Sequence, residues 1–270
     1  MPKRGAVLLL DDAKAWAPED FGDMFSRHLS GSIEWVKLKV AAGEDVIVNE
    51  TVSNYDCFVL TGSRFNVRDR DSLVWFEPVA ALIRAVELDS SKRLYGGCFG
   101  CQIAAFALGG VVDKNPSERF CLLAETLVFE PPEADDASSS SSSSRGIVIP
   151  PSLTSALPAL RDSEVKVIVS HGDCVRELPP AASVRLAHSA SCANEVYVAG
   201  RHSNILCMQS HPEFDYEYAV QERIWPAVVE KNKRLREDEV AVSRASFEAF
   251  GGRAHGPDRL MSLIRNFLEA

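Results

Sequence analysis

A cysteine with glycine two places away on either side, as in Tyr95-Gly96-Gly97-Cys98-Phe99-Gly100-Cys101-Gln102, has the setting of a nucleophile presented on a sharp strand-to-helix turn. Such an elbow imposes an unusual backbone conformation on its central residue, and the residues two positions away must be small to avoid collision. Residues 99–108 are apolar at helical spacing and stop at Gly109-Gly110, so Cys98 opens a helix. There the unsatisfied backbone N–H groups and the macrodipole favour thiolate over thiol. A thiolate used in catalysis needs a base to move protons and a third group to fix the tautomer of that base. Ser210-His211-Pro212-Glu213 supplies both, because residues 205–209 read as a short strand and leave His211 just past its end. Pro212 fixes φ and removes a donor, which helps aim His211 and Glu213 into one space.

With two further segments the pattern resembles a known family. The Gly-Gly-Cys-Phe-Gly-Cys-Gln elbow and the downstream Gln209-Ser210-His211-Pro212-Glu213-Phe214 are similar to the corresponding motifs of the class I glutamine amidotransferases, whose triad is Cys-His-Glu. Cys57-Phe58-Val59-Leu60-Thr61-Gly62-Ser63-Arg64 looks like that family's apolar strand ending in a glycine-containing loop. Val169-Ser170-His171-Gly172-Asp173-Cys174-Val175 is similar to its strand and His-x-Asp-x-Val loop. Order and spacing over residues 6–214, with the helical tail beyond, look most like the free-standing γ-glutamyl peptidase branch.

The resemblance implies an α/β fold with a flavodoxin-like core: an open, mostly parallel sheet with helices on both faces. It implies Cys98, His211 and Glu213 as the catalytic residues, with oxyanion donors in the backbone N–H groups of Phe99 and of Gly62 or Ser63. Gln102 and His171 are carried over as substrate-binding candidates, beside the plainer readings that Gln102 solvates the helix and His171 caps a strand end. The implied reaction cleaves the γ-glutamyl amide of glutamine or a γ-glutamyl peptide through a γ-glutamyl thioester, with no cofactor and no metal. A glutaminase subunit passing ammonia to a synthase partner is a second reading, since no phosphate-cradling loop followed by Lys-Ser or Lys-Thr is present to supply an acceptor reaction. A redox-sensing or non-catalytic binder on the same fold is a third.

Two departures from the family bear on these readings. The family usually has a histidine or a bulky apolar residue in place of Cys101, a longer polar side chain in place of Gly172, and an acid near Cys174. Cys98-Phe99-Gly100-Cys101 is also a C-x-x-C at a helix N-terminus, which makes Cys101 either a redox partner or a small, half-buried helix residue. A zinc site would need a second pair, and none has suitable spacing.

Composition and pattern frame the elements that must position these groups. The 270 residues, 46% of them hydrophobic, suffice for one full α/β core, and the reading is a single domain over residues 1–270. With 29 basic against 38 acidic residues the formal charge is −9, which disfavours nucleic acid and anionic membrane and leaves a small molecule as the expected partner; the resemblance implies that this molecule is a γ-glutamyl compound. Seven cysteines without a framework of spacings suit a reducing, cytoplasmic setting. The apolar run 6–10 ends at Asp11-Asp12, short of the about 7 residues of a signal core, and reads as the first strand. No stretch approaches the about 18 apolar residues that cross a bilayer.

Strands are expected at 6–10, 33–40, 57–61, 93–95, 166–170, 184–187, 196–199 and 205–207, and helices at 20–29, 73–87, 99–108, 216–229 and 257–267. The charge-dense run 230–239 reads as a solvated helix face in preference to a binding patch. Residues 131–145, with their Pro-Pro start and serine tract, read as a disordered surface insertion.

Overall fold

Short apolar runs alternate with amphipathic segments through the first half of the chain, and each becomes a separate element in the computed structural model. These are β1 (Lys3–Leu8), α1 (Phe21–His28), β2 (Ile33–Leu38), α2 (Val48–Asn54), β3 (Cys57–Leu60), α3 (Phe76–Leu88), β4 (Arg93–Gly97) and α4 (Phe99–Ala107). Then follow β5 (Val111–Lys114), β6 (Cys121–Phe129), α5 (Pro151–Thr154), α6 (Leu157–Arg161), β7 (Val165–His171), β8 (Asp173–Glu177), β9 (Ser183–His188), β10 (Val196–Ala199) and β11 (Ile205–Met208). Two π-helical stretches, Tyr216–Ile224 and Pro226–Lys231, lead to α7 (Glu237–Phe250) and α8 (His255–Glu269). The structure describes residues 2–29, 31–44, 46, 48–131, 148–180, 182–250 and 255–270, so the serine-rich stretch falls outside the described residues apart from Pro131.

Nine strands form one sheet in the order β2-β1-β3-β4-β11-β10-β9-β6-β7. The central strands β2-β1-β3-β4-β11 are all parallel, as a βαβ rhythm requires, and an antiparallel wing continues from β10. Along β1 and β3 successive side chains go to opposite faces. Val7 and Val59 pack with Met24 and Phe25 of α1 and Leu263 and Phe267 of α8, whereas Leu8, Phe58 and Leu60 pack with Leu82 and Ile83 of α3 and Ile103 of α4. The expected α/β fold, a central parallel sheet with helices on both faces, is therefore present. Among the described residues no helix is long and apolar enough to cross a membrane.

Three strands escape the sequence reading. β6 pairs with both β7 and β9, yet its alternation is interrupted by Glu125, a buried acid that accepts hydrogen bonds from Ser191 N and Oγ at 3.2 and 2.8 Å. The short, mostly exposed β5 pairs, among the described residues, only with β8. The helix expected over 216–229 is instead π-helical and interrupted at Pro226, which has no N–H to continue the ladder. The charge run is also different from the expected helix face. Residues 232–236 are non-helical and Lys233 has φ +48°, so the chain turns back before α7 begins at Glu237.

Candidate active site

Cys98 sits between the last residue of β4 and the first of α4 with φ +48° and ψ −107°, a conformation that L residues other than glycine rarely adopt. Its strain is held by flanking contacts: Cys98 N donates to Met208 O at 2.8 Å and Gly100 N to Thr61 O at 3.1 Å. The two glycines are required by space. A Cβ on Gly96 would lie 2.6 Å from Gly100 O, and one on Gly100 would collide with the Leu60 carbonyl. Gly100→Ala should therefore lower stability by about 1–3 kcal/mol, whereas Gly172→Ala, whose Cβ would meet only a Phe120 ring carbon at 3.7 Å, should be near neutral. Urea unfolding of the two variants checks this; equal midpoints would show that the elbow has slack.

His211 is carried just beyond β11, and its N–H donates to Ile168 O of β7 at 2.9 Å. Nδ1 lies 2.8 Å from Glu213 Oε1, and both side chains are buried. The ring stacks on Phe214, with centroids 4.0 Å apart and planes 6° from parallel. Phe21 lies 6.4 Å away on the first turn of α1, a helix fixed by the reciprocal cap between Asp20 and Asp23. Burial alone would push the imidazole towards neutrality, but the charges of Cys98 and Glu213 outweigh it and raise its pKa to about 10. Negative charge on these two neighbours therefore favours the protonated ring.

Cys98, His211, Phe99, Gln102, His171 and Ser63 share one cleft of about 250 Å³. Gly62 stands behind it, where a Cβ would come within 3.0 Å of His211 Cε1. Among the described residues the N–H groups of Gly62 and Ser63 meet no acceptor, and Phe99 N–H, in the first helical turn, has no intrahelical one. Gln102 does not solvate its helix: buried, it donates from Nε2 to Asp173 O at 2.9 Å and to Gln209 Oε1 at 3.1 Å. His171 is buried with Nε2 3.2 Å from Ser191 Oγ, and burial together with the charge of His211 pulls its pKa down to about 4. Cys101 is placed elsewhere. Its sulfur lies in the core 3.7 Å from Tyr197 Oη, off the cleft lining, and burial pushes its thiol well up, so the dithiol reading lacks support.

Sequence reasoning passed over two groups. Gln209 belongs to the Gln-Ser-His-Pro-Glu-Phe motif, and its Nε2 donates to Cys98 Sγ at 3.5 Å. Glu195, fully buried, accepts from Ser210 N at 2.7 Å and Ser189 Oγ at 3.2 Å, so it anchors the residue before His211. Burial raises its pKa from 4.5 to about 7, with the Ser210 bonds opposing and the charge of Glu125 adding to the rise. An acid raised in the folded state binds more protons folded than unfolded, so its contribution to stability falls as pH climbs from 4.5 through 7. Glu195→Gln, which keeps an acceptor for Ser210 N–H, should thus gain stability over wild type at pH 8 relative to pH 5. Thermal unfolding at the two values checks it; a difference independent of pH would mean that Glu195 does not titrate in that window.

The family model for glutamine amidotransferase class-I matches residues 20–222. The chain belongs to the class-I glutamine amidotransferase family. Within it, the chain is 29% identical to gamma-glutamyl peptidase 4 of Arabidopsis thaliana over 67% of the chain, spanning 62% of that relative, less than two thirds of its length. It is 28% identical to gamma-glutamyl peptidase 5 of the same plant over 99% of the chain and 96% of the relative. A GMP synthase [glutamine-hydrolyzing] from Wolbachia sp. subsp. Brugia malayi is 24% identical over 72% of the chain, but only 33% of that protein is covered. The fold is shared with a glutamine amidotransferase of Thermotoga maritima, with a TM-score of 0.68, 16% identity and full coverage of both chains.

Proposed function

We propose that this amidotransferase-family chain hydrolyses γ-glutamyl amide bonds, with Cys98 as nucleophile, His211 as acid and base, and Glu213 as the group that orients His211. The observation that carries the reading is the strained Cys98 sharing a cleft with His211, which is held by Glu213. In the first half-reaction Sγ attacks the γ-carbonyl, and the oxyanion is received by Phe99 N–H and by Gly62 or Ser63 N–H. His211 delivers its proton to the departing amine, leaving a γ-glutamyl thioester. In the second, His211 takes a proton from water as the water attacks the thioester, and glutamate leaves as the C–S bond breaks. Gln102 and His171 line the same cleft and are proposed to hold the γ-glutamyl group.

A stand-alone peptidase is favoured over a glutaminase subunit because the match to gamma-glutamyl peptidase 5 runs over nearly the whole of both chains. The GMP synthase match, with one third of that protein covered, supports the second reading, in which ammonia passes to a synthase partner. Assay of the isolated chain on glutamine, glutathione and γ-glutamyl dipeptides separates them. Peptide cleavage well above glutamine hydrolysis is expected; turnover of glutamine alone would favour the subunit.

A further inference from the structure

The chain carries a net charge of −9, yet apart from Cys98 and His211 the charged side chains lining the cleft are Asp11, Arg64, Asp173, Arg223 and Arg234. Three of these are already engaged. Arg64 pairs with Asp12 at 2.6 Å, Asp173 pairs with Arg68 at 2.7 Å, and Asp11 accepts from the N–H groups of Ala13 and Arg64 at 2.6 and 2.7 Å.

Arg223 and Arg234 remain. Arg223 lies over the Tyr218 ring, 4.7 Å from its centroid, and its closest carboxylate contact is a loose 3.9 Å approach of Glu222. Its Nε is buried and meets no acceptor among the described residues. Arg234 lies 4.3 Å over the Phe120 ring, and no carboxylate among the described residues comes within salt-bridge distance. Its position is built by strain: Lys233 has φ +48°, and Arg234 N donates back to Val228 O at 2.9 Å, which returns the side chain to the cleft. A guanidinium stacked on an aromatic ring is oriented in advance, and its planar donors match a carboxylate two at a time.

We infer that Arg223 and Arg234 form a carboxylate-binding subsite for the leaving group, so that the preferred substrates are γ-glutamyl peptides ending in a free carboxylate. This inference rests on the hydrolase reading above and narrows its substrate class. Gln102 and His171, from α4 and β7, are the candidates for the glutamyl end, which leaves the arginines of the segment after β11 for the other end.

The test compares kcat/KM for γ-glutamylalanine and γ-glutamylalaninamide in wild type, Arg223→Met and Arg234→Met, with folding of each variant checked by thermal unfolding. Wild type should prefer the free acid by about 10- to 100-fold, the range of a charge-assisted hydrogen-bonded contact. In both variants that preference should collapse towards unity. Equal rates on acid and amide in wild type, or a preference preserved in both folded variants, would overturn the subsite. A fall in glutamine hydrolysis as large as the fall on the dipeptide acid would also overturn it, by assigning the arginines to the glutamyl end. Failure of the hydrolase reading itself looks different: wild type would then turn over neither glutamine nor either dipeptide, or Cys98→Ser would turn over all of them as wild type does.

Discussion

Cys98→Ser loses hydrolysis of every γ-glutamyl substrate by at least about a thousandfold, the scale on which removal of a catalytic nucleophile acts, and keeps its fold. Serine nearly preserves the volume and the backbone at φ +48° but replaces an ionisable sulfur nucleophile with a hydroxyl that stays protonated and attacks weakly. A companion variant separates chemistry from stability. Cys98→Gly removes the nucleophile and also relieves the positive φ, so it should be as inactive as the serine variant while unfolding later, by about 1 kcal/mol. Single-turnover assays and urea titrations on the three proteins check both halves. Residual activity in either variant would place the nucleophile elsewhere, and a glycine variant no more stable than wild type would mean that the elbow stores no strain.

The elbow is legible in the sequence because its demands are local. Two glycines flank one cysteine in a row of five residues, and the same collision that makes them necessary, Gly96 against the Gly100 carbonyl, can be anticipated from spacing alone. The central parallel strands are legible for a similar reason: buried on both faces, they are continuous apolar runs such as Cys57–Leu60. What was hidden depends on partners distant in the chain. Glu195 and Glu125 look like surface acids until β6, β9 and β10 bring them to Ser210 and Ser191. Arg234 sits in a run whose charge density suggests a solvated helix, and only the turn at Lys233 sends it to the cleft. For Cys101 the spacing leaves two readings open, because it does not say what else will pack against the sulfur, and in the structure Tyr197 lies beside it.

The base and its orienting acid make the second large prediction. His211→Asn removes the proton donor of the first half-reaction and the proton acceptor of the second, so a loss of about 10⁴-fold or more is expected. Glu213→Gln should cost less, about 10²-fold, since it weakens orientation and charge without removing the transferring group. The pH profile distinguishes this from a general loss of structure. Burial disfavours the His211 cation, and the negative charges at Cys98 and Glu213 together raise its pKa to about 10. Withdrawing the Glu213 charge must lower it, because the burial cost stays and one of the two compensating charges is gone. Leaving-group protonation needs that proton, so the alkaline limb of kcat/KM should move to lower pH in Glu213→Gln, while the lost activity is partly recovered on the acid side of the new limb. An alkaline limb that stays in place in the glutamine variant would show that Glu213 does not set the charge of His211. In that case the buried Glu195 beside Ser210 becomes the acid to test, with the same titration in Glu195→Gln deciding between them.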